Sequence, residues 1–232
     1  MIFAVSPIAF SFFGIDIYWY SLSYIFTFLI GDFLIKNMVK KNNLPFSQKN
    51  LDNLFILIVL GVVFGGRLGY FLFYDFYNFT EFLNIRNGGM SFHGGFLGVV
   101  FSVLFYSFYY KKNCLIIADL IASITPIGLF LGRIANYLND EILGSIFFNW
   151  DYVVLYESFF EGFVLFLILN FYFNDFEKKG KKFYLFLFFY SLFRIFLDFF
   201  KERVLVLFFF DIGQILSIFM LLIAVFFLYF FN

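Results

Sequence analysis

Three arginines interrupt apolar stretches of this sequence: Arg67, Arg133 and Arg194. A guanidinium inside a membrane span is costly to insert unless it is paired or hydrated. It is also the side chain best shaped to hold a phosphate or carboxylate through two parallel hydrogen bonds. Other polar groups gather near these three. His93, the only histidine, opens one apolar stretch, and Asn136, Asn139 and Glu141 follow Arg133. Glu157 and Glu161 are four residues apart, as are Arg194 and Asp198, so each pair shares one helical face. Gln214 begins the last apolar stretch. The set offers donors for a phosphate, carboxylates to orient those donors, and one group that titrates near neutral pH. Two readings stand. Each arginine reaches separately to lipid headgroups or a nearby acid, or the three share one wet cavity. Three at one depth favour the cavity.

Such a cavity suits a phospholipid headgroup. An Arg–phosphate pair binds the ground state and also stabilises the charge that grows on a departing phosphate. His93 or a carboxylate could accept a proton from an acceptor group. Gly88, Gly89, Gly94 and Gly95 flank His93 at a helix entrance, where free backbone N–H groups can receive an anion. Gly61, Gly65 and Gly69, spaced by four, read instead as a stripe for close helix packing. Asp119 stands apart; it pairs locally or lines a path. With one histidine and one cysteine, Cys114, a zinc site and an intrachain disulfide are both excluded from expectation. The sequence has no GxxxxGK[ST] loop, no GxSxG elbow, and no strand before Gly132-Arg133 to open a dinucleotide fold.

The elements that position these groups follow from composition. Of 232 residues, 63% are apolar and 14% charged, and the mean hydropathy is +0.91. That leaves too little polar surface for a water-soluble globule. The net charge is zero, which gives no reason to expect nucleic acid. Seven stretches approach the about 20 apolar residues that span a bilayer: Ile17–Ile35, Leu54–Tyr74, Gly94–Tyr110, Leu115–Tyr137, Val153–Phe173, Phe183–Phe200 and Ile212–Phe231. Pro126, inside the fourth, is expected to kink it. Lys36, Lys40, Lys41, Lys49, Lys111, Lys112, Lys178, Lys179, Lys181 and Lys182 then fall on one side, which the positive-inside rule makes cytoplasmic. The expected fold is an all-α integral membrane protein, a bundle of about seven transmembrane helices with a periplasmic N-terminus and a cytoplasmic C-terminus. Residues 1–232 form a single membrane domain, with short periplasmic connections near 75–93 and 138–152. The first basic residue is Lys36, so the start lacks the basic region of a cleaved signal peptide and reads as mature sequence.

Several strings resemble one family. Residues 132–144, GRIANYLNDEILG, resemble the hallmark G-R-x-[GA]-N-F-x-N-x-E-x-x-G of the prolipoprotein diacylglyceryl transferases, departing only at Tyr137, where Phe is usual. Residues 88–95, GGMSFHGG, and 65–70, GGRLGY, resemble two further family segments without mismatch. Trp19-Tyr20 resembles the family's WYG element, with Ser21 for Gly. Leu155-Tyr156-Glu157 followed by Glu161-Gly162 resembles LYEA…EG, and Gly213-Gln214-Ile215-Leu216-Ser217 resembles GQxLS. Phe193-Arg194 with Asp198 resembles an FR…E pair with Asp in place of Glu. The likeness runs in order from about residue 5 to 220. Between Gly144 and Leu155 the chain is shorter than the family's and lacks its HPSQ stretch, which implies a trimmed periplasmic head.

The resemblance implies transfer of the diacylglyceryl group of phosphatidylglycerol to the lipobox cysteine of prolipoprotein signal peptides. A thioether forms and glycerol phosphate leaves, at the outer face of the bacterial inner membrane and without a cofactor. Carried over by position, it makes Arg133 and Arg194 the phosphate-binding, leaving-group-stabilising residues and His93 the base for the thiol. Asn136, Asn139 and Glu141 would shape the headgroup pocket, supported by Tyr20, Arg67, Gly94, Glu157 and Asp198. The alternative is a membrane transporter or scramblase for an anionic lipid or solute. It predicts polar groups at every depth and internal repeats. Here the polar groups gather in the outer half, Asp119 being the main exception, and no repeat is evident.

Overall fold

A backbone in lipid has no water to bond with, so each apolar run must satisfy its own N–H and C=O groups, as a helix does. The computed structural model describes residues 6–13, 15–73, 82–83, 89–139, 152–173, 176–201 and 212–229. Among them seven helices follow in order: α1 (Trp19–Lys41), α2 (Gln48–Phe73), α3 (Phe92–Tyr110), α4 (Cys114–Leu138), α5 (Val153–Tyr172), α6 (Lys181–Leu197) and α7 (Ile212–Tyr229). A 3-10 turn over Asp198–Phe200 continues α6. Helices α1, α2, α4, α5 and α6 are long and apolar enough to cross a membrane; α3 and α7 hold shorter apolar stretches, Gly94–Tyr110 and Gly213–Tyr229. Glu141, most of the connections at 75–93 and 138–152, and the His93 side chain lie outside the described residues.

Each predicted span falls on one helix, but the ends differ. Helix α1 runs on from the predicted end at Ile35 to Lys41, and α2 begins at Gln48 rather than Leu54. Hydropathy finds the apolar stretch, whereas these helices continue into polar residues, where Lys36 Nζ pairs with Asp52 Oδ1 at 2.7 Å. The all-α expectation also needs one correction. Strands β1 (Ile8–Phe12) and β2 (Ile15–Tyr18) pair antiparallel as a hairpin ahead of α1. Ser11 Oγ donates to Asp16 Oδ1 across it at 2.5 Å, and the Trp19 indole donates to Ser6 O at 3.1 Å, which ties the hairpin to the start of α1.

The chain divides into two compact units, residues 36–118 and residues 1–35 with 119–232. In the first of these, α2 and α3 lie antiparallel with their backbones in contact. A Cβ on Gly65 would stand 2.5 Å from Gly94 O, and one on Gly69 would stand 2.6 Å from Gly94 Cα. Gly98 lies against the Gly61 carbonyl in the same way. Ser102 Oγ then donates across the contact to Leu57 O at 2.8 Å. The stripe is therefore a packing surface, as its spacing suggests. Ser91 caps α3, its Oγ accepting from Gly94 N at 3.3 Å.

In the other unit, α4 and α5 are antiparallel and meet backbone to backbone at Gly162 and Phe130. A Cβ on Gly162 would stand 2.6 Å from Phe130 Cβ, Ser158 Oγ donates to Phe130 O at 3.0 Å, and Asn170 Nδ2 donates to Ser123 O at 2.9 Å. Helix α4 continues through Pro126. Leu165 and Leu169 of α5 pack with Leu185 of α6. Tyr184 of α6 stacks on Phe227 of α7 with ring centroids 4.6 Å apart. Asp119 is fully buried and accepts from Gly180 N at 2.6 Å and Phe183 N at 2.8 Å, partners far from it in sequence. It thereby caps the start of α6, where unpaired N–H groups favour an anion.

The backbone contact between α2 and α3 sets a measurable contrast. Gly98→Ala is expected to destabilise the folded protein by about 1–3 kcal/mol through overpacking. Gly132→Ala, where a Cβ meets nothing within 4 Å, should leave the thermal midpoint in detergent unchanged or slightly raised. Equal midpoints for both variants would mean that the contact does not hold the helices.

Candidate active site

The close approach of α4 to α5 at Phe130 and Gly162 decides which side chains meet. One turn beyond Phe130, α4 presents Arg133; on either side of Ser158, α5 presents Glu157 and Glu161. Both glutamates are fully buried, and a buried carboxylate must be paired. From α4, Arg133 Nε stands 3.5 Å from Glu157 Oε2, and its Nη2 stands 3.9 Å from Glu161 Oε2. From α6, Arg194 Nη1 lies 2.6 Å from Glu157 Oε1 and 3.5 Å from Glu161 Oε1. Arg194 Nε also lies 3.2 Å from Asp198 Oδ2, as the four-residue spacing implies. Lys201, just past the 3-10 turn, bonds Glu157 and sits 2.9 Å from Asp198 Oδ1.

Three cations and three carboxylates thus form one network among the described residues. Exposure divides them by sign. The glutamate side chains are 0% exposed and Asp198 2%, whereas Arg133 is 17% and Arg194 19% exposed. The acids are spent on orienting the guanidiniums, and the guanidiniums keep the open faces. Arg133 is the looser of the two, since it stays beyond hydrogen-bond reach of either glutamate. It donates instead to Asn136 Oδ1 at 3.3 Å, and Asn136 Nδ2 donates to the Tyr20 hydroxyl of α1. The arrangement can hold an anion against two preset guanidiniums with little reorganisation, the condition for electrostatic stabilisation of a developing charge.

The structure therefore brings Tyr20, Arg133, Asn136, Glu157, Arg194 and Asp198 together. Asn139 follows at the end of α4, its N–H bonded to Ala135 O at 3.0 Å. Arg67 belongs to the other unit. It is 3% exposed, donates to Phe82 O and Gly89 O at 3.0 Å each, and lies 4.9 Å from the centre of the Phe71 ring. Its guanidinium secures backbone carbonyls there. Gly94 lies in the α2–α3 contact with its N–H capped by Ser91. His93 sits in the first turn of α3. Two network members are absent from the sequence-derived site, Glu161 and Lys201. Their spacing signals were present: Glu161 is one turn from Glu157, and Lys201 follows Asp198 by three.

Helices long and apolar enough to cross lipid, with a charged network buried among them, define a multi-pass membrane protein with a polar site inside its helices. The chain belongs to the prolipoprotein diacylglyceryl transferase family, whose model matches residues 7–230. It is 42% identical over 208 residues to the phosphatidylglycerol–prolipoprotein diacylglyceryl transferase of Rickettsia canadensis (strain McKiel), covering 81% of this chain and 80% of the relative. The proteins of the same name from Rickettsia felis and Rickettsia bellii are 41% and 40% identical over the same length.

Removing one partner of a buried ion pair leaves an uncompensated charge. Glu157→Gln, which strips Arg194 and Lys201 of one of the two carboxylates they share, should cost about 3–5 kcal/mol of stability in mild detergent. Adding Lys201→Gln should recover part of it. A single variant that unfolds like the parent protein would show that the acids do not hold the cations.

Proposed function

We propose that this protein transfers the diacylglyceryl group of phosphatidylglycerol to the lipobox cysteine thiol of a prolipoprotein. The observation that carries the reading is the sorting of exposure by charge: two guanidiniums from separate helices are partly exposed, backed by carboxylates that are almost wholly buried. The phosphate of the lipid binds to Arg133 and Arg194. The thiol sulfur attacks the glycerol carbon, the carbon–oxygen bond breaks, and the electron pair stays on the phosphate oxygen, where the same guanidiniums stabilise it. Holding the lipid and the peptide together supplies the proximity term. His93 takes the thiol proton, since a thiol is a good nucleophile only as thiolate. Tyr20 and Asn136 hold Arg133 toward the headgroup, with Asn139 and Glu141 beside them. Glu157 and Asp198 fix Arg194.

The same reading sets seven spans through the bacterial inner membrane, working as one membrane domain, with the N-terminus periplasmic and the C-terminus cytoplasmic. The network then lies toward the periplasmic leaflet. Its support is the separation of charge along the helices: Lys178, Lys179, Lys181 and Lys182 stand at the start of α6, and the network stands at its end. Asp119, the buried acid away from the network, is used to cap α6 and so lends no support to a transporter.

Reconstitution with phosphatidylglycerol and a lipobox peptide should give one diacylglyceryl adduct on the peptide cysteine by mass spectrometry. Arg133→Ala and Arg194→Ala should each lower turnover by about a hundredfold or more while the protein stays folded. Phosphatidylethanolamine should not replace phosphatidylglycerol, and equal activity with both lipids would overturn a headgroup-reading site. His93→Gln with near-parental turnover would remove His93 as the base.

A further inference from the structure

Glu161 has no part in the mechanism above, yet it is the least satisfied charge in the network. It is fully buried, and neither carboxylate oxygen has a hydrogen-bond donor among the described residues. Its nearest cations stand off at 3.5 Å, Arg194 Nη1, and 3.9 Å, Arg133 Nη2. The other two acids are held closely. Glu157 has Arg194 at 2.6 Å and Lys201, and Asp198 has Arg194 at 3.2 Å and Lys201 at 2.9 Å. The charged and titratable groups facing Glu161 are Arg133 of α4, Glu157 of its own helix, Tyr190 and Arg194 of α6, and Lys201. Glu161 also sits in a wide π-helical turn, Ser158–Val164, a distortion that often marks a functional position.

Charge balance gives this residue a task. With every member ionised, the three cations and three carboxylates cancel. A phosphodiester headgroup adds one negative charge in surroundings that screen poorly. Arg133, the loosest cation, is also the one best placed to turn toward the newcomer, and turning away would leave Glu161 with still less compensation. A proton on the carboxylate with the weakest cation contacts restores neutrality at least cost.

We propose that Glu161 takes up one proton when an anionic phosphodiester joins the network and, once Arg133 has turned from it toward the phosphate and uncovered it, delivers that proton to the phosphate oxygen as the oxygen leaves. The proposal rests on the transferase reading and deepens it. The step balances. The thiol proton goes to the base, sulfur bonds to the glycerol carbon, and the carbon–oxygen bond breaks with its electron pair on the phosphate oxygen. That oxygen takes the proton of the Glu161 carboxyl and departs as a phosphomonoester monoanion. Glu161 returns to carboxylate and to its arginines. Base and acid are thereby separate groups, and the dianion never has to form beside two buried carboxylates.

The test uses the whole protein in a neutral detergent, lightly buffered above neutral pH, with short-chain phosphatidylglycerol as probe and phosphatidylcholine as the control without net charge. Binding of phosphatidylglycerol should take up about one proton per protein, and phosphatidylcholine none. Infrared difference spectra should show a protonated carboxyl band on binding, shifted in protein labelled with 13C-glutamate. Glu161→Gln should still bind the lipid, take up no proton, lack the band, and transfer at about one-hundredth of the parental rate or less. Lipid binding by the parental protein without proton uptake or band overturns the proposal, and so does uptake that persists in Glu161→Gln. These parental measurements decide the matter even if the variant does not fold. A parental protein that neither binds nor converts phosphatidylglycerol fails the transferase reading instead, whereas one that converts it without proton uptake fails this proposal alone.

Discussion

Two carboxylates with no contact with solvent, Glu157 and Glu161, dictate the arrangement around them. Left alone in an apolar interior they could not stay ionised, so cations must come to them, and they come from different elements: Arg133 from α4, Arg194 from α6, and Lys201 from just beyond α6. That convergence depends on a local fact about backbone. Helices α4 and α5 approach to the limit allowed by Gly162 against Phe130, which brings Arg133 within range of the glutamates. A larger residue at 162 would push the helices apart and weaken contacts that are already long.

Helix α6 is gripped at both ends by acids. Asp119 receives the N–H groups of Gly180 and Phe183 at its start, and Glu157 holds Arg194 near its end. Both anchors rest on α4 and α5, so the axial position of Arg194 is set twice, once by a cap and once by an ion pair. A guanidinium that must meet a phosphate at a fixed depth gains from this, because positioning errors cost rate steeply.

The helices were legible in the sequence because lipid imposes one rule, that apolar runs of sufficient length become helices. The stripe of Gly61, Gly65 and Gly69 was legible for the same kind of reason: spacing by four places them on one face. The meeting of Arg133, Arg194, Glu157 and Asp198 followed from the expense of burying charge. What escaped has physical causes too. The hairpin at Ile8–Phe12 and Ile15–Tyr18 is short and aromatic in a chain where aromatics are everywhere, so its alternation carries little contrast. Arg67 bonds backbone carbonyls, and a carbonyl has no residue type by which to find it. The partners of Asp119 lie 61 and 64 residues away in sequence, with nothing local to link them. Glu161 was in view beside Glu157 and Lys201 stood three residues after Asp198, but their meeting with Arg133, Arg194 and Glu157 is visible only in three dimensions.

The glycine contact between α2 and α3 has a bearing on His93. The neighbouring residue, Gly94, rests directly on the backbone at Gly65 and Gly69, with no side chain in between to flex. The first turn of α3 therefore cannot slide or roll along α2 without main chain striking main chain. The stretch of main chain that carries position 93 is thus as immovable as a peg in a drilled hole.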